Sequence, residues 1–459
     1  MQQQALYTSL RNTYPIFRYK KYNYQQTAEN FTMNFSFEVE DDKQAIVYVF
    51  SPSICIPNHS FYHIDQLSKA QLNILVFHIG MIELISYWKA TSSPILEIIP
   101  HQLNDEQIQW WKNLYFHGLG EFFYLNHIQS TPVDFMEIRS FGSPLSPLHF
   151  TLNDEIIIPI GGGKDSVVSL EILKNASPQK ALPFIINPRG ATLDCIKVAG
   201  YTPLEIAEEK RPIDPLLLQL NAKGFLNGHT PFSAMLAFNS LLIAALTNKK
   251  HIALSNEGSA NEATIVGTEV NHQYSKSYTF ESDFRKYVRK YISADFNYFS
   301  FLRPLHEITI AKLFAKQTAY FSVFKSCNVG SKEDIWCGHC PKCLFAFIIL
   351  APFIDAKKMI QIFGKNLLNE VALQKDFNEL IGWADLKPFE CIGTVEEVNW
   401  ALQQLLSKSD YQTSYLLQQY AKNPLAKKKI REDLVKDFQD AHFVPEPFAK
   451  LLIQELRSI

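Results

Sequence analysis

Residues 161–166 read Gly-Gly-Gly-Lys-Asp-Ser, directly after the apolar run Glu155–Ile160 and directly before an amphipathic segment. A strand that passes through glycines into a helix builds an anion cradle: the glycines let backbone N–H groups approach phosphate oxygens, and the helix adds its positive N-terminal end. Gly161, Gly162 and Gly163 supply that backbone, Lys164 a charge, Ser166 a hydroxyl, and Asp165 a carboxylate able to orient the loop or hold Mg²⁺. The phosphate loop of kinases and GTPases is excluded, because Ile158 stands where its first glycine belongs and Asp165 where Ser or Thr follows the lysine. A dinucleotide fingerprint fails as well, since Ser166 occupies its third glycine position.

A second constellation is Cys327, Cys337, Cys340 and Cys343, spaced C-x9-C-x2-C-x2-C. Four thiolates suit a tetrahedral Zn²⁺, and CxxC turns deliver ligands in pairs. A closed site of this kind leaves no position for substrate, so its role is structural; an iron–sulfur cluster is the alternative occupant. Cys55, Cys195 and Cys391 lack such a setting and read as buried small residues.

Other candidates lie between these motifs. His229, in "NGHTPFSA" at a helix start, can contact phosphate or act as acid or base. Glu257 and Glu262, in "SNEGSANE" after an apolar strand, are candidates for acid/base work or Mg²⁺ binding. His272 follows them, and Lys276, Arg285 and Arg303 can hold a carboxylate or diphosphate of an acidic substrate.

These residues need elements to hold them. From 155 to about 350, apolar runs ("EIIIPI", "ALPFIIN", "HIALS") alternate with helix-length segments, which predicts an α/β domain with a parallel sheet covered on both faces. Ligands of such sheets sit at the carboxyl ends of the strands. Residues 1–150 read as an α+β domain, with strands at Phe31–Glu40 and Ala45–Phe50 and helical character from Asp105 onward; "GSPLSPLHF" reads as a linker. The parallel-sheet domain is expected over 151–355 and a helical region over 356–459, where Thr394 and Glu397 form a capping-box pattern ahead of Val395, Val398, Leu402 and Leu405 on one helix face.

Composition narrows the function classes. At 459 residues with 47% hydrophobic and 20% charged residues, the chain is globular and long enough for two or three domains. A net charge of -2 gives no long-range attraction to nucleic acid or an anionic membrane. No secretory pattern opens the sequence, and the apolar run Leu344–Phe353 is far shorter than the roughly 20 residues of a membrane span. Clustered thiols in an odd count of 7 cysteines point to a soluble protein of the reducing cytoplasm.

The loop G-G-G-K-D-S resembles the S-G-G-x-D-S loop of the PP-loop ATP pyrophosphatases (adenine nucleotide alpha hydrolase-like), with Gly161 where those proteins usually have Ser. That resemblance implies a grip on the pyrophosphate end of ATP and cleavage between the α- and β-phosphates. "FLRPLHEITIAKLFAKQTAYFSVFKSC" followed by "CGHCPKC" is similar to the end of the PP-loop domain in 7-cyano-7-deazaguanine synthases, and "NGHTPFSA" resembles Gly-His-Thr segments that close nucleotide sites in several PP-loop enzymes. Taken in order along essentially the whole chain, the segments resemble the ATP-dependent UDP-N-acetyl-muramoyl-L-alanyl-L-glutamate epimerases of peptidoglycan precursor synthesis. The family implies inversion of the terminal L-Glu of the nucleotide-linked dipeptide through an acyl-adenylate, with ATP converted to AMP and pyrophosphate, and no nucleic-acid or membrane partner. On that reading Gly161–Ser166 bind ATP with Mg²⁺, and His229, Glu257, Glu262 and His272 are the acid/base candidates. Lys276, Arg285 and Arg303 are then expected at the substrate, and the four cysteines at a structural Zn²⁺. The alternative is another PP-loop enzyme, a deazaguanine synthase-like amide or nitrile synthase or a tRNA thiolase.

Overall fold

The computed structural model describes residues 2–176, 181–262, 264–265, 271–384 and 386–459. Strand β2 (Asn30–Glu40) shows how the first sheet arises: Phe31, Met33, Phe35, Phe37 and Val39 are buried and alternate with half-buried positions, the period of a strand with one covered face. It pairs antiparallel with β1 (Ile16–Gln26) on one edge, while β3 (Ile46–Phe50) and β4 (Ser53–Pro57) share the other. β1 runs parallel to β5 (Ile95–Ile98), and β5 parallel to β6 (Glu137–Ser140).

The helix Lys69–Trp88 packs on this sheet, entered through a capping box in which Ser68 and Gln71 satisfy each other's backbone N–H groups. Tyr19 of β1 stacks on Phe77 of the helix with ring centroids 5.8 Å apart. Gly80 lets the helix come this close, because a Cβ there would fall inside the Tyr19 phenol. By length and composition this helix is apolar enough to cross a bilayer, yet it is buried as a core helix.

The second sheet has five strands, β7 (Asn153–Pro159), β8 (Ala181–Ile186), β9 (Ala207–Glu209), β10 (Lys249–Leu254) and β11 (Asn297–Ser300), in the order β11-β10-β7-β8-β9. β7 and β10 are parallel. Ile156, Ile157 and Ile158 of β7 and Leu182, Phe184 and Ile185 of β8 are buried, the near-continuous apolar runs of a sheet covered on both faces. Chain order proceeds one way from β7 to β9 and then resumes on the other side of β7 with β10. That reversal makes a topological switch point between β7 and β10, the place where open α/β sheets hold ligands.

The chain divides into two compact units. One comprises Met1–Ile157, Ala207–Ile252 and Tyr274–Tyr298; the other Ile158–Ile206, Ala253–Gln273 and Phe299–Ile459. The C-terminal residues are helical as expected, and the helix Val395–Leu406 carries the Thr394–Glu397 capping box with Val398, Leu402 and Leu405 buried. Cys195 is buried, whereas Cys55 and Cys391, expected to be buried, are only half-buried.

Replacing Gly80 by Ala is expected to lower stability by about 1–3 kcal/mol through overpacking against Tyr19. Urea unfolding measures this, and an unshifted midpoint would mean that the ring yields at no cost.

Candidate functional site

The glycine loop leaves the carboxyl end of β7, and Ser255–Glu262 leaves that of β10, so the two loops flank the switch point. Gly162 sits at φ +79°, and a Cβ there would come within 3.0 Å of the Ala191 backbone, so both conformation and space demand glycine. Gly161 differs, since a Cβ would meet nothing within 4 Å; the absence of serine here removes a hydroxyl but no packing. The Gly162 carbonyl accepts the Lys325 N–H at 2.9 Å, with Cys195 Sγ 3.6 Å away. None of the N–H groups of Gly161, Gly162 and Gly163 has an acceptor among the described residues. Ser166 Oγ donates to the Gly163 carbonyl at 3.0 Å and closes the first turn of the helix Lys164–Ala176.

Lys164 is buried, and its ammonium pairs with Asp165 and, at 2.8 Å, with Glu307 Oε1. Burial disfavours the charge, but the two carboxylates outweigh it and raise the Lys164 pKa. Burial lifts Glu307 to about 8 against the attraction of Lys164, with Asp165 and Glu257 adding to the rise. Its Oε2 has no hydrogen-bond partner among the described residues. Glu307 opens the helix Glu307–Ala315, and its N–H donates to Glu397 Oε1 at 2.6 Å.

The fully buried Glu397 also accepts from the Thr394 N–H, and its Oε1 lies 3.5 Å from His306 Nδ1. His306 Nε2 is 2.9 Å from Asp437 Oδ2, to which Arg431 donates at 2.8 Å. Burial opposes the His306 charge, yet Glu397 and Asp437 raise its pKa, and both carboxyls are held below their ordinary values.

In the second loop, Glu257 is buried and its carbonyl accepts from Arg303 Nη1 at 2.5 Å. Arg303 also donates to Ser300 Oγ at 3.3 Å, a hydroxyl that Asn256 Nδ2 reaches at 3.0 Å. This guanidinium therefore braces the loop from inside. Glu262 is half-buried and paired with Lys387, whose ammonium also donates to the Gly393 carbonyl at 3.1 Å. His272 is half-buried; its N–H donates to Thr264 Oγ1 at 3.0 Å, and its ring stands edge-on to Phe389 with centroids 6.5 Å apart.

The remaining candidates belong to the other unit. His229 is half-buried with Nδ1 3.5 Å from Glu121 Oε2. Arg285 donates to Asn297 Oδ1 at 3.0 Å and to the Tyr298 carbonyl, and burial lowers its pKa. Lys276 is half-buried at the end of the short helical turn Tyr274–Lys276.

The four cysteine Sγ atoms lie within 4.8 Å of one another, with Cys327–Cys340 at 3.8 Å and Cys337–Cys343 at 3.7 Å. All four are free thiols. A tetrahedron with metal–sulfur bonds of about 2.3 Å has edges of about 3.8 Å, so the sulfurs fit a single ion. The N–H groups of Gly330 and Cys343 point at Cys327 and Cys340 sulfurs, 3.2 and 3.4 Å away, as thiolate ligands require.

Glu307, Glu397 and Lys387 escape a sequence reading. An acidic residue at the first position of a helix is commonplace, and only its burial beside Lys164 sets Glu307 apart. Glu397 is legible as a cap but not as the acceptor for Glu307.

The sequence matches the family described as MurL N-terminal domain over residues 8–301 and that described as MurL C-terminal domain over residues 322–434. A UDP-N-acetyl-alpha-D-muramoyl-L-alanyl-L-glutamate epimerase of Xanthomonas oryzae pv. oryzae is 35% identical over 347 residues, 74% of this chain and 76% of that protein. Relatives with the same name from Micromonospora sp. and Salinispora tropica are 33% and 35% identical, over 81% and 71% of this chain and 83% and 72% of theirs. No solved structure matches.

The His306 cluster sets a pH dependence. Its raised pKa stabilises the fold fully below the ordinary histidine value of 6.5, and this is lost as pH rises through the folded pKa. The lowered pKa values of Glu397 and Asp437 stabilise it above about 4.5 and are lost on acidification. The melting-temperature difference between wild type and His306→Gln is therefore expected to peak between about pH 5 and 6 and to shrink toward pH 8. A difference that grows with pH would refute the charged-histidine assignment.

Proposed function

This chain belongs to the UDP-N-acetyl-alpha-D-muramoyl-L-alanyl-L-glutamate epimerase family, and from that premise we propose that it inverts the terminal L-Glu of this nucleotide-linked dipeptide at the expense of ATP, in the cytoplasm, during peptidoglycan precursor synthesis. The observation that carries the ATP reading is the cradle at the switch point: three glycine N–H groups without acceptors among the described residues, the start of a helix, and the buried Lys164. A PP-loop reading accounts for this arrangement where the commoner phosphate loops do not.

The chemistry explains why ATP would be needed. An α-proton beside an ionised carboxylate is very weakly acidic, because its removal concentrates two negative charges on one small group. Attack of that carboxylate oxygen on the α-phosphorus of ATP breaks the α–β bridge, expels pyrophosphate and leaves an acyl-adenylate. Its carbonyl is electron-poor, so a base can remove the α-proton, and donors near the oxygen stabilise the enolate. Reprotonation on the opposite face and hydrolysis then give the D-glutamate product and AMP. Mg²⁺, when bound with ATP, would neutralise phosphate charge, with Asp165 as its nearest candidate ligand in the loop.

Glu257 and Glu307 are the groups best situated for proton transfer beside the loop. Both are buried, and Glu307, lifted to about 8, exchanges a proton near neutrality. Glu262, His272 and His229 remain acid/base candidates, and Lys276 remains a candidate for a substrate anion. Arg303 and Arg285 would act by bracing the backbone that they hydrogen-bond. A thiolase reading is disfavoured because Cys195, though beside the loop, has its thiol pushed up to about 12 by burial.

For the cysteines we propose one structural Zn²⁺. Four sulfurs in mutual contact leave room for one ion, whereas a multi-iron core would hold them farther apart.

Incubation with the UDP-muramoyl-L-Ala-L-Glu substrate and Mg-ATP in D₂O is expected to yield AMP and D-Glu deuterated at the α-carbon. Asp165→Ala should reduce AMP formation by at least about 100-fold while the fold survives, since it removes the candidate ligand of the Mg²⁺ that would stabilise charge at the transferring phosphate. AMP without inversion would redirect the search to other acyl acceptors. Elemental analysis should find one zinc per chain, and Cys343→Ser should lose both zinc and thermal stability. Stoichiometric iron with visible absorption would overturn the zinc reading.

A further inference from the structure

The chain that leads into the first metal cysteine touches the glycine loop, and the long chain from there to the second touches the backbone packed beneath it. The Lys325 N–H holds the Gly162 carbonyl at 2.9 Å, and the Ser326 Cβ lies 3.3 Å from the Cβ position of Gly163, immediately before Cys327. Farther on, Asp334 adopts the left-handed region at φ +51°, and its Oδ1 accepts the Ala191 N–H at 3.1 Å. Gly190 leaves the space this carboxylate fills, and Arg189 Nη1 donates to the Ser331 carbonyl at 2.9 Å. The Ala191 backbone is also what Gly162 packs against. Asp334, Ala191 and Gly162 thus form one stack, touched at one end by the metal segment directly and at the other through Asp334.

We propose that the segment from Lys325 to Cys337 is a positioning element for the glycine loop, with Asp334 its principal contact, so that metal loading and nucleotide affinity at the loop are coupled. The inference rests on the reading that the loop takes ATP and the cysteines a metal. Its physical basis is chain entropy. Ligation fixes both ends of the excursion, and Ile335 N–H to Gly330 O at 3.0 Å closes it internally. Released from the metal, the excursion keeps Asp334 on Ala191, and the Lys325 N–H just before it stays on Gly162, only by ordering the chain, which weakens both contacts. Coupling of this kind is reciprocal: if metal sharpens the nucleotide site, bound nucleotide retains the metal.

The test uses the full zinc-loaded chain. Zinc transfer to a chromogenic chelator is timed with and without saturating α,β-methylene-ATP, and a slowing of about five-fold or more is expected. Calorimetry with the same analogue should show Asp334→Ala weakening affinity by about ten-fold at unchanged zinc content, with Asp334→Asn, which keeps the Oδ1 acceptor, close to wild type. Equal release rates with and without bound analogue, or wild-type affinity in Asp334→Ala, would overturn the coupling while leaving the ATP reading intact. Failure of the zinc-loaded wild type to bind the analogue would overturn both. Should Asp334→Ala fail to fold, the wild-type release rates alone decide.

Discussion

A buried ammonium governs the loop-bearing unit. Lys164 follows three glycines at the start of a helix, so the backbone that frees the loop for a phosphate also carries the lysine inward. An unpaired charge there would be prohibitively costly, and Asp165 and Glu307 supply the compensation. Glu307 can reach Lys164 only if its helix begins at that point, which leaves its own N–H, an orphan of the first turn, in need of an acceptor. Glu397 provides it from a helix some 90 residues onward and is itself secured by Thr394 and His306. The glycine loop and the C-terminal helices are therefore parts of one hydrogen-bonded chain.

This arrangement decides what is left to meet a ligand. Arg303, Arg285 and Lys387 are each engaged with carbonyls or carboxylates of the protein. On the proposed reading, recognition of a phosphate at the switch point would fall chiefly on backbone N–H groups, which carry no charge to be neutralised and need no side-chain ordering. Such a cradle is set by conformation, which is why the positive φ of Gly162 and its contact with Ala191 matter more than the loop's formal charge.

Much of this is written in the sequence where one physical signal dominates. The alternation of β2, the apolar runs of β7, β8 and β10, the capping box at Thr394 and the four cysteines each have a local cause, and each forms where that cause predicts. β1, β9 and β11 are not legible. β1 carries Lys, Asn and Gln along its second half, β9 is three residues long, and β11 is a four-residue run whose neighbours resemble a loop; pairing partners rather than local pattern make them strands. The roles of Arg303 and Glu307 were hidden for a related reason. A charged side chain declares its type in sequence but not its burial, and burial separates a surface cation from a brace and an ordinary helix-start acid from one lifted to about 8.

The balance of charge around the loop bears on the proposed chemistry. Asp165 and Glu257 both act electrostatically on Glu307 beside Lys164, and three carboxylates so placed would repel a triphosphate if all were ionised and exposed. Lys164 offsets part of this charge, and burial raises the Glu307 pKa, which offsets more of it. On the proposed reading Asp165 would hold a divalent cation that comes with ATP, and Lys164 would then keep Glu307 as its partner. The proton on Glu307 would then become easier to release. On this reading the nucleotide prepares a base for the α-proton at the same time as it activates the carboxyl that makes that proton acidic.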